Sequence, residues 1–146
     1  MTRENGFHTV QLRQMTITSD GWLTMLPFNH GGVTLGNVSE EKLIGTFEAV
    51  DFGNITPAFT GESNRSKVDE IISPKFTIEL KVNGTVRFDS GKEGRWLLED
   101  DSYRVKMTFF DVTYEGVVCK MKDDSGKTVT AVSLLESDNS SVWCMK

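Results

Sequence analysis

The stretch Phe76-Thr77-Ile78-Glu79-Leu80-Lys81-Val82-Asn83-Gly84 constrains the fold most. Apolar Phe76, Ile78, Leu80 and Val82 alternate with polar Thr77, Glu79 and Lys81. A strand turns successive side chains to opposite faces, so this period of two predicts one buried face and one solvated face. Asn83-Gly84 then ends the run with a strong hairpin signal, because both residues tolerate positive φ. Thr85–Phe88 is the expected return strand. The pattern recurs downstream. Tyr103, Val105, Met107 and Phe109 alternate with Arg104, Lys106 and Thr108, Phe110-Asp111 turns the chain, and Val112–Met121 comes back. Asp123-Asp124-Ser125-Gly126 is another turn, Lys127–Leu135 another strand, and Asp138-Asn139-Ser140 turns before Val142-Trp143. Arg95–Glu99 reads as a short strand between Gly94 and Asp100-Asp101.

The first half reads alike. Thr9–Thr18 is expected as a strand, Ser19-Asp20-Gly21 as its turn and Trp22–Leu26 as its return, ended by Pro27, which lacks a ladder donor. Ser39 is placed to cap a helical turn over Glu40-Glu41-Lys42. Leu43–Phe52 is a strand, with Gly45 marking a bulge or a close approach. About nine or ten short strands with turns every 8–12 residues or so predict an all-β fold. Hairpin connections make it an antiparallel meander, and closure into a barrel removes the exposed edges. The 146 residues fit one domain, 1–146. Its large inward residues, Phe47, Phe76, Leu80, Met107 and Phe109, suggest a filled interior. Gly53–Asp69 is long, polar and unpatterned, the signature of a functional or mobile loop.

Charge narrows the partners. Sixteen basic side chains face 21 acidic ones. Nucleic acid and anionic membranes need a basic footprint and are not expected, which leaves neutral glycans and other proteins. No apolar run approaches the ~20 residues of a membrane span, and Met1–Gly6 shows no signal-peptide core. His8 and His30 are the two histidines, and no HxxxH, CxxC or DxDxDG pattern occurs, so neither metal nor cofactor is expected. In a meander Cys119 and Cys144 fall two strands apart, about 10 Å at ~4.8 Å per strand, too far for a disulfide.

No catalytic residue is legible. Asp100-Asp101 and Asp123-Asp124 sit in turns, where Asp is favoured by bonds to its own backbone, and there is no G-x-S-x-G elbow. The aromatics are more informative. Flat rings stack on the apolar faces of sugars, although most tryptophans of small β folds serve the core. Trp96 reads as structural, while Trp22 follows a tight turn at a rim. Phe28-Asn29-His30-Gly31-Gly32 is a polar-aromatic loop. The candidate glycan-binding set is therefore Trp22, Phe28 and His30, with Asn64 and Arg65 from the long loop, supplying stacking and directional hydrogen bonds.

Four segments carry a resemblance. Gln11–Phe28, with "RQM" and "DGW" followed by Pro27-Phe28, resembles the junction after the catalytic propeller in endo-arabinanases of glycoside hydrolase family 43. Gly45-Thr46-Phe47-Glu48 is similar to that family's "GTYE", Asp111–Val117 to its "DGVTYKGV", and Val142–Lys146 to its "IWGSK". Leu23 stands where the family has proline, and Cys144 where it has glycine. The resemblance implies a lipocalin-like β-barrel, the C-terminal accessory module of such enzymes, with residues 1–26 at the junction to a catalytic domain that this chain does not contain. It implies a non-catalytic module of arabinan or hemicellulose degradation, extracellular or at the cell surface as part of a secreted enzyme, with a cytoplasmic location left open. The first reading is a module that binds a neutral plant cell-wall glycan. The alternatives are a structural domain packing on a family 43 catalytic domain, with an apolar patch near Phe7, Leu12 and Met15 bared when alone, or a barrel carrying a small ligand. An independent enzyme ranks last.

Overall fold

The computed structural model describes residues 2–4, 7–9, 12–28, 32–53, 75–99, 103–109, 111–137 and 140–146. Strands β1 (Thr2–Glu4) and β2 (Phe7–Thr9) form one hairpin, and β3 (Met15–Ile17) and β4 (Leu23–Met25) another. A helical turn, α1 (Glu40–Leu43), leads into β5 (Gly45–Gly53). Then follow β6 (Lys75–Leu80), β7 (Thr85–Phe88), β8 (Glu93–Leu98), β9 (Arg104–Phe109), β10 (Val112–Lys122), β11 (Thr128–Glu136) and β12 (Ser141–Met145). Strands β5 to β12 pair antiparallel in chain order, and β12 pairs back on β5 with Trp143 opposite Val50. The result is the expected meander, closed into an eight-stranded barrel.

One turn recurs four times. At Lys81–Thr85, Gly84 N–H donates to Lys81 O at 3.1 Å and Lys81 N–H to Thr85 O at 2.9 Å. Thr18–Trp22, Phe88–Lys92 and Asp123–Lys127 repeat both bonds, with Gly21, Gly91 and Gly126 in the fourth place. Gly84 has φ +75°, and Asn83 keeps a negative φ with its carboxamide accepting the Thr85 N–H. A corner followed by a left-handed glycine thus replaces the expected pair of positive-φ residues. This shift corrects the register at its end. Ile78 and Leu80 are buried and Glu79 exposed as the alternation predicts, but Val82 is 81% exposed, because the turn begins at Lys81 and takes Val82 out of the ladder.

Three local expectations are corrected. Thr9–Thr18 is not continuous: Thr9 ends β2, Leu12–Gln14 are outside any strand, and the Gln14 side chain instead brackets the backbone of Val33. Ser39 stands at the cap position of α1, but its side chain makes no capping bond; its carbonyl accepts Lys42 N–H. Gly45 is no bulge. It holds φ +126° as the chain leaves α1, and the register shift on this side of the sheet lies at Ser141/Val142.

The barrel interior packs as one cluster. Phe47, Leu80 and Met107 are fully buried, and a chain of rings runs through Phe76, Phe88, Phe109 and Tyr114 with centroids 4.5–5.8 Å apart. The Trp96 indole is buried and donates to Lys81 O at 3.0 Å, a structural role as expected. At Gly116 a Cβ would stand 2.2 Å from Ser133 O, so only glycine lets β10 and β11 approach there. A second apolar cluster lies outside the wall: Leu26 on Val117, Cys119, Met121, Val129 and Ala131, with Phe28, Val33, Leu35 and Tyr103 packed around it. Cys119 belongs to this outer cluster and Cys144 to the interior; both are free. Cys119 stands opposite Ala131 and Cys144 opposite Val132, so the two thiols lie on opposite faces of the wall.

Candidate functional site

The hairpin β3–β4 is turned inside out. Along Met15-Thr16-Ile17 and Leu23-Thr24-Met25 the threonines are buried and the apolar residues exposed. The threonine face packs on the barrel through polar contacts. Thr24 Oγ1 lies 2.8 Å from Ser133 Oγ, and the Ser133 hydroxyl donates to Met25 O at 2.8 Å. The Ser19 hydroxyl reaches Glu115 on β10, whose carboxylate also holds Lys106 at 2.6 Å. That hydrogen bond to Glu115 raises the Lys106 pKa above its ordinary value. Within the turn, the Thr18 hydroxyl donates to Asp20 at 2.5 Å and accepts the Trp22 N–H at 3.1 Å.

The other face points to solvent. Met15, Ile17, Leu23 and Met25 are each between 41% and 56% exposed, and Leu12 and Trp22, outside the paired strands, are exposed as well. Met15 pairs with Met25 and Ile17 with Leu23, so the four form a two-by-two apolar stripe. A contiguous exposed apolar stripe of this kind marks an interaction surface more often than a solvated face.

The candidates read from the sequence are spread apart. Trp22 stands 58% exposed beside the turn. Phe28 lies beyond the opposite end of β4, and its ring is partly buried on the outer cluster. His30, Asn64 and Arg65 lie outside the described residues. Of the patch expected near Phe7, Leu12 and Met15, the last two are in the exposed set, and the Phe7 side chain is outside the description. Ile17, Leu23 and Met25 were missed. Their signal is a pair of period-two triplets whose polar position is threonine both times, which fits either face inward.

Reactive chemistry finds little footing. Burial pushes the Cys119 thiol up to about 11 and the Cys144 thiol to about 12, opposite to the needs of a nucleophile. Asp123 is committed to its turn, accepting from Ser125 Oγ and from the N–H groups of Ser125 and Lys127; these bonds, the Ser125 hydroxyl first, lower its pKa. A groove of about 380 Å³ beside the β3–β4 turn is lined by Asp20, Thr113, Glu115, Glu136 and Ser137 among others. Among the described residues no group of three or more His, Cys, Asp or Glu could hold a metal ion.

Comparison with known proteins adds identity to this geometry. Residues 27–144 match the family 43 glycoside hydrolase model described as a C-terminal lipocalin-like domain. An extracellular endo-α-(1→5)-L-arabinanase of Thermotoga petrophila is 29% identical over 140 residues, covering 92% of this chain, and an extracellular endo-α-(1→5)-L-arabinanase 2 of Bacillus subtilis is 24% identical over 140 residues, covering 95%. The chain spans 27% of the length of each relative. The crystal structure of the endo-1,5-α-L-arabinanase from Thermotoga petrophila superposes with a TM-score of 0.72 at 26% identity, over 92% of this chain and 28% of that one. A family 43 glycoside hydrolase structure from Bacillus licheniformis gives 0.76 at 22% identity, over 92% and 27%, a likeness of fold.

Proposed function

The chain belongs to the family of C-terminal lipocalin-like domains of glycoside hydrolase family 43, and on that premise we propose that it is a non-catalytic accessory module of extracellular arabinan breakdown that packs on a family 43 catalytic domain. Residues 1–146 act as one module, with 1–26 at the junction to that domain. One observation carries the choice between the two leading sequence readings: the hairpin at residues 15–25 turns its apolar side outward, directly before the family-matched region begins. A contiguous stripe of aliphatic and thioether side chains, Met15 beside Met25 and Ile17 beside Leu23, suits a protein interface better than a sugar subsite, which uses flat rings and convergent polar groups. The relatives have nearly three quarters of their length outside the matched part, room for the domain that would cover it.

Glycan binding is the second reading, and Trp22 is what favours it: an exposed ring on the turn whose Asp20 lines a groove with carboxylate and hydroxyl groups. Affinity electrophoresis in arabinan gels separates the two. The packing reading expects the free chain to migrate as in a gel without glycan. It also expects Ile17→Ser with Leu23→Ser to leave the free chain folded, yet to lower the heat tolerance of a chimaera in which this chain replaces the matching quarter of the Thermotoga petrophila relative. Retardation by arabinan that is lost in Trp22→Ala, with an unaffected chimaera, would hand the function to glycan binding.

A further inference from the structure

We infer that the groove where residues 32–34 run past the end of β10 binds an acidic sugar, with Lys120 and Lys122 holding its carboxylate. The inference goes beyond the packing reading and involves no residue of the β3–β4 hairpin. Charge is the starting point. The chain is acidic overall, with 16 basic against 21 acidic side chains. The groove at the β3–β4 turn follows that balance, with Asp20, Asp111, Glu115 and Glu136 in its lining. The groove at the end of β10, of about 250 Å³, reverses it. Lys120, Lys122, Thr34 and Thr128 line it together with Val33 and Met121, and none of its lining residues is acidic. Both lysines are exposed, and neither forms an ion pair among the described residues, whereas Lys81 is held by Glu93 and Lys106 by Glu115. Of the two acids that follow β10, Asp123 is committed to its turn and neither lines the groove.

The ladder leaves backbone groups free at the same place. Strand β9 pairs with β10 only as far as Val117, and beyond it Val118 N–H donates to Tyr103 O at 2.7 Å. On the other side Asp123 N–H donates to Lys127 O at 2.9 Å. Alternation along the strand therefore turns the N–H and C=O groups of Lys120 and Lys122 away from β11, where no described strand meets them. Lys122 stands opposite Thr128, so the side chains of Lys120, Lys122 and Thr128 leave one face of the β10–β11 ribbon. These groups fit one class of ligand. Two ammonium groups at two-residue spacing are point charges that share a carboxylate as counter-ion. Threonine hydroxyls and outward backbone groups both donate and accept, as the hydroxyls of a sugar ring require. Val33 and Met121 give the C–H face of the ring an apolar contact. The volume falls just below the ~300 Å³ at which pockets for drug-sized ligands begin, so it takes one sugar unit.

The test is a titration of the amide NMR spectrum of the whole chain with three probes. These are methyl α-D-galacturonoside, methyl α-D-galactoside, which carries CH2OH in place of the carboxylate, and inorganic phosphate. The uronoside should shift the Lys120, Lys122 and Thr128 amides, the neutral galactoside should leave them in place, and phosphate should bind at least about tenfold more weakly than the uronoside. Lys120→Gln with Lys122→Gln should weaken uronoside binding about tenfold, and added salt should weaken it in the parent. Lys75→Gln with Lys92→Gln, the same change of charge at the other end of the barrel, should leave it unchanged. Equal binding of the neutral galactoside would remove the role of the carboxylate, and phosphate binding as tightly as the uronoside would reduce the groove to an anion site; either result overturns the inference. So does uronoside binding that survives the Lys120 and Lys122 changes, or no shift with any probe. None of these outcomes touches the packing reading.

Discussion

The two halves of the barrel wall solve the same geometry differently. In β6 and β9 burial alternates: Ile78, Leu80, Val105 and Met107 face the interior, while Glu79 is exposed and Lys106 half-exposed. In β10 and β11 burial is continuous, from Gly116 to Cys119 and from Ala131 to Leu134. There Leu26, Phe28, Val33 and Leu35 cover the outer face, and Thr24 is hydrogen-bonded to Ser133. One half of the wall meets water directly. The other carries a second layer whose own outer surface is again apolar. A sheet with both faces covered needs apolar residues on both, and the inside-out hairpin passes that condition outward to a partner.

The largest effect that would break this contrast lies at Gly116. Gly116→Ala drives a Cβ into the Ser133 carbonyl and should cost about 3 kcal/mol or more. Gly126→Ala, in an open turn at φ +85°, should cost about 1 kcal/mol. Urea titration measures both, and equal losses would contradict the tight approach of β10 to β11. Next, Leu26→Ala should lose about 2–4 kcal/mol as a large-to-small change in a sealed layer, against about 0.5 kcal/mol or less for Leu97→Ala on the solvated half. A similar loss at both sites would mean that the outer layer is not a core.

Smaller effects sharpen the picture. Thr24→Val leaves Ser133 with one hydrogen-bond partner fewer in a buried site and should cost about 1–2 kcal/mol; a neutral result in thermal unfolding would show that the hairpin is held by other contacts. The thiols give a pH signature. Their folded pKa values, about 11 and 12, lie above those of the unfolded chain, near 9. Their contribution to stability is therefore complete below about pH 9 and is lost as pH rises through the folded values, because the unfolded chain binds fewer protons across that window. Unfolding midpoints from pH 8 to 11 should fall less steeply in Cys119→Ala with Cys144→Ala than in the parent, and identical slopes would contradict thiol burial on both faces of the wall.

Most of the barrel is legible in the sequence, because half-buried strands write their register as alternation and each of four turns places glycine fourth. Val82 misleads because alternation says nothing about where a turn captures the chain. The covered half left a signal too. Val117-Val118-Cys119 and Ala131-Val132 are apolar without alternation, the mark of strands buried on both faces, but which segment covers them depends on contacts between distant parts of the chain. The same limit applies to Phe28, whose loop-like sequence hides a ring packed against the outer cluster. Trp22 was legible as exposed because turn geometry is local. The direction of Met15, Ile17, Leu23 and Met25 was not, since threonine fits either face.

The central claim is that the outer face of β3–β4 is covered when the module works. Hydroxyl-radical oxidation reads it directly, because Met15 and Met25 form one end of the stripe and fully buried Met107 serves as the internal control. In the free chain Met15 and Met25 should oxidise readily and Met107 slowly. In the chimaera with the Thermotoga petrophila relative both exposed methionines should slow at least about tenfold toward Met107, as solvent access decides susceptibility. Unchanged oxidation of Met15 and Met25 in an active, folded chimaera would contradict the account.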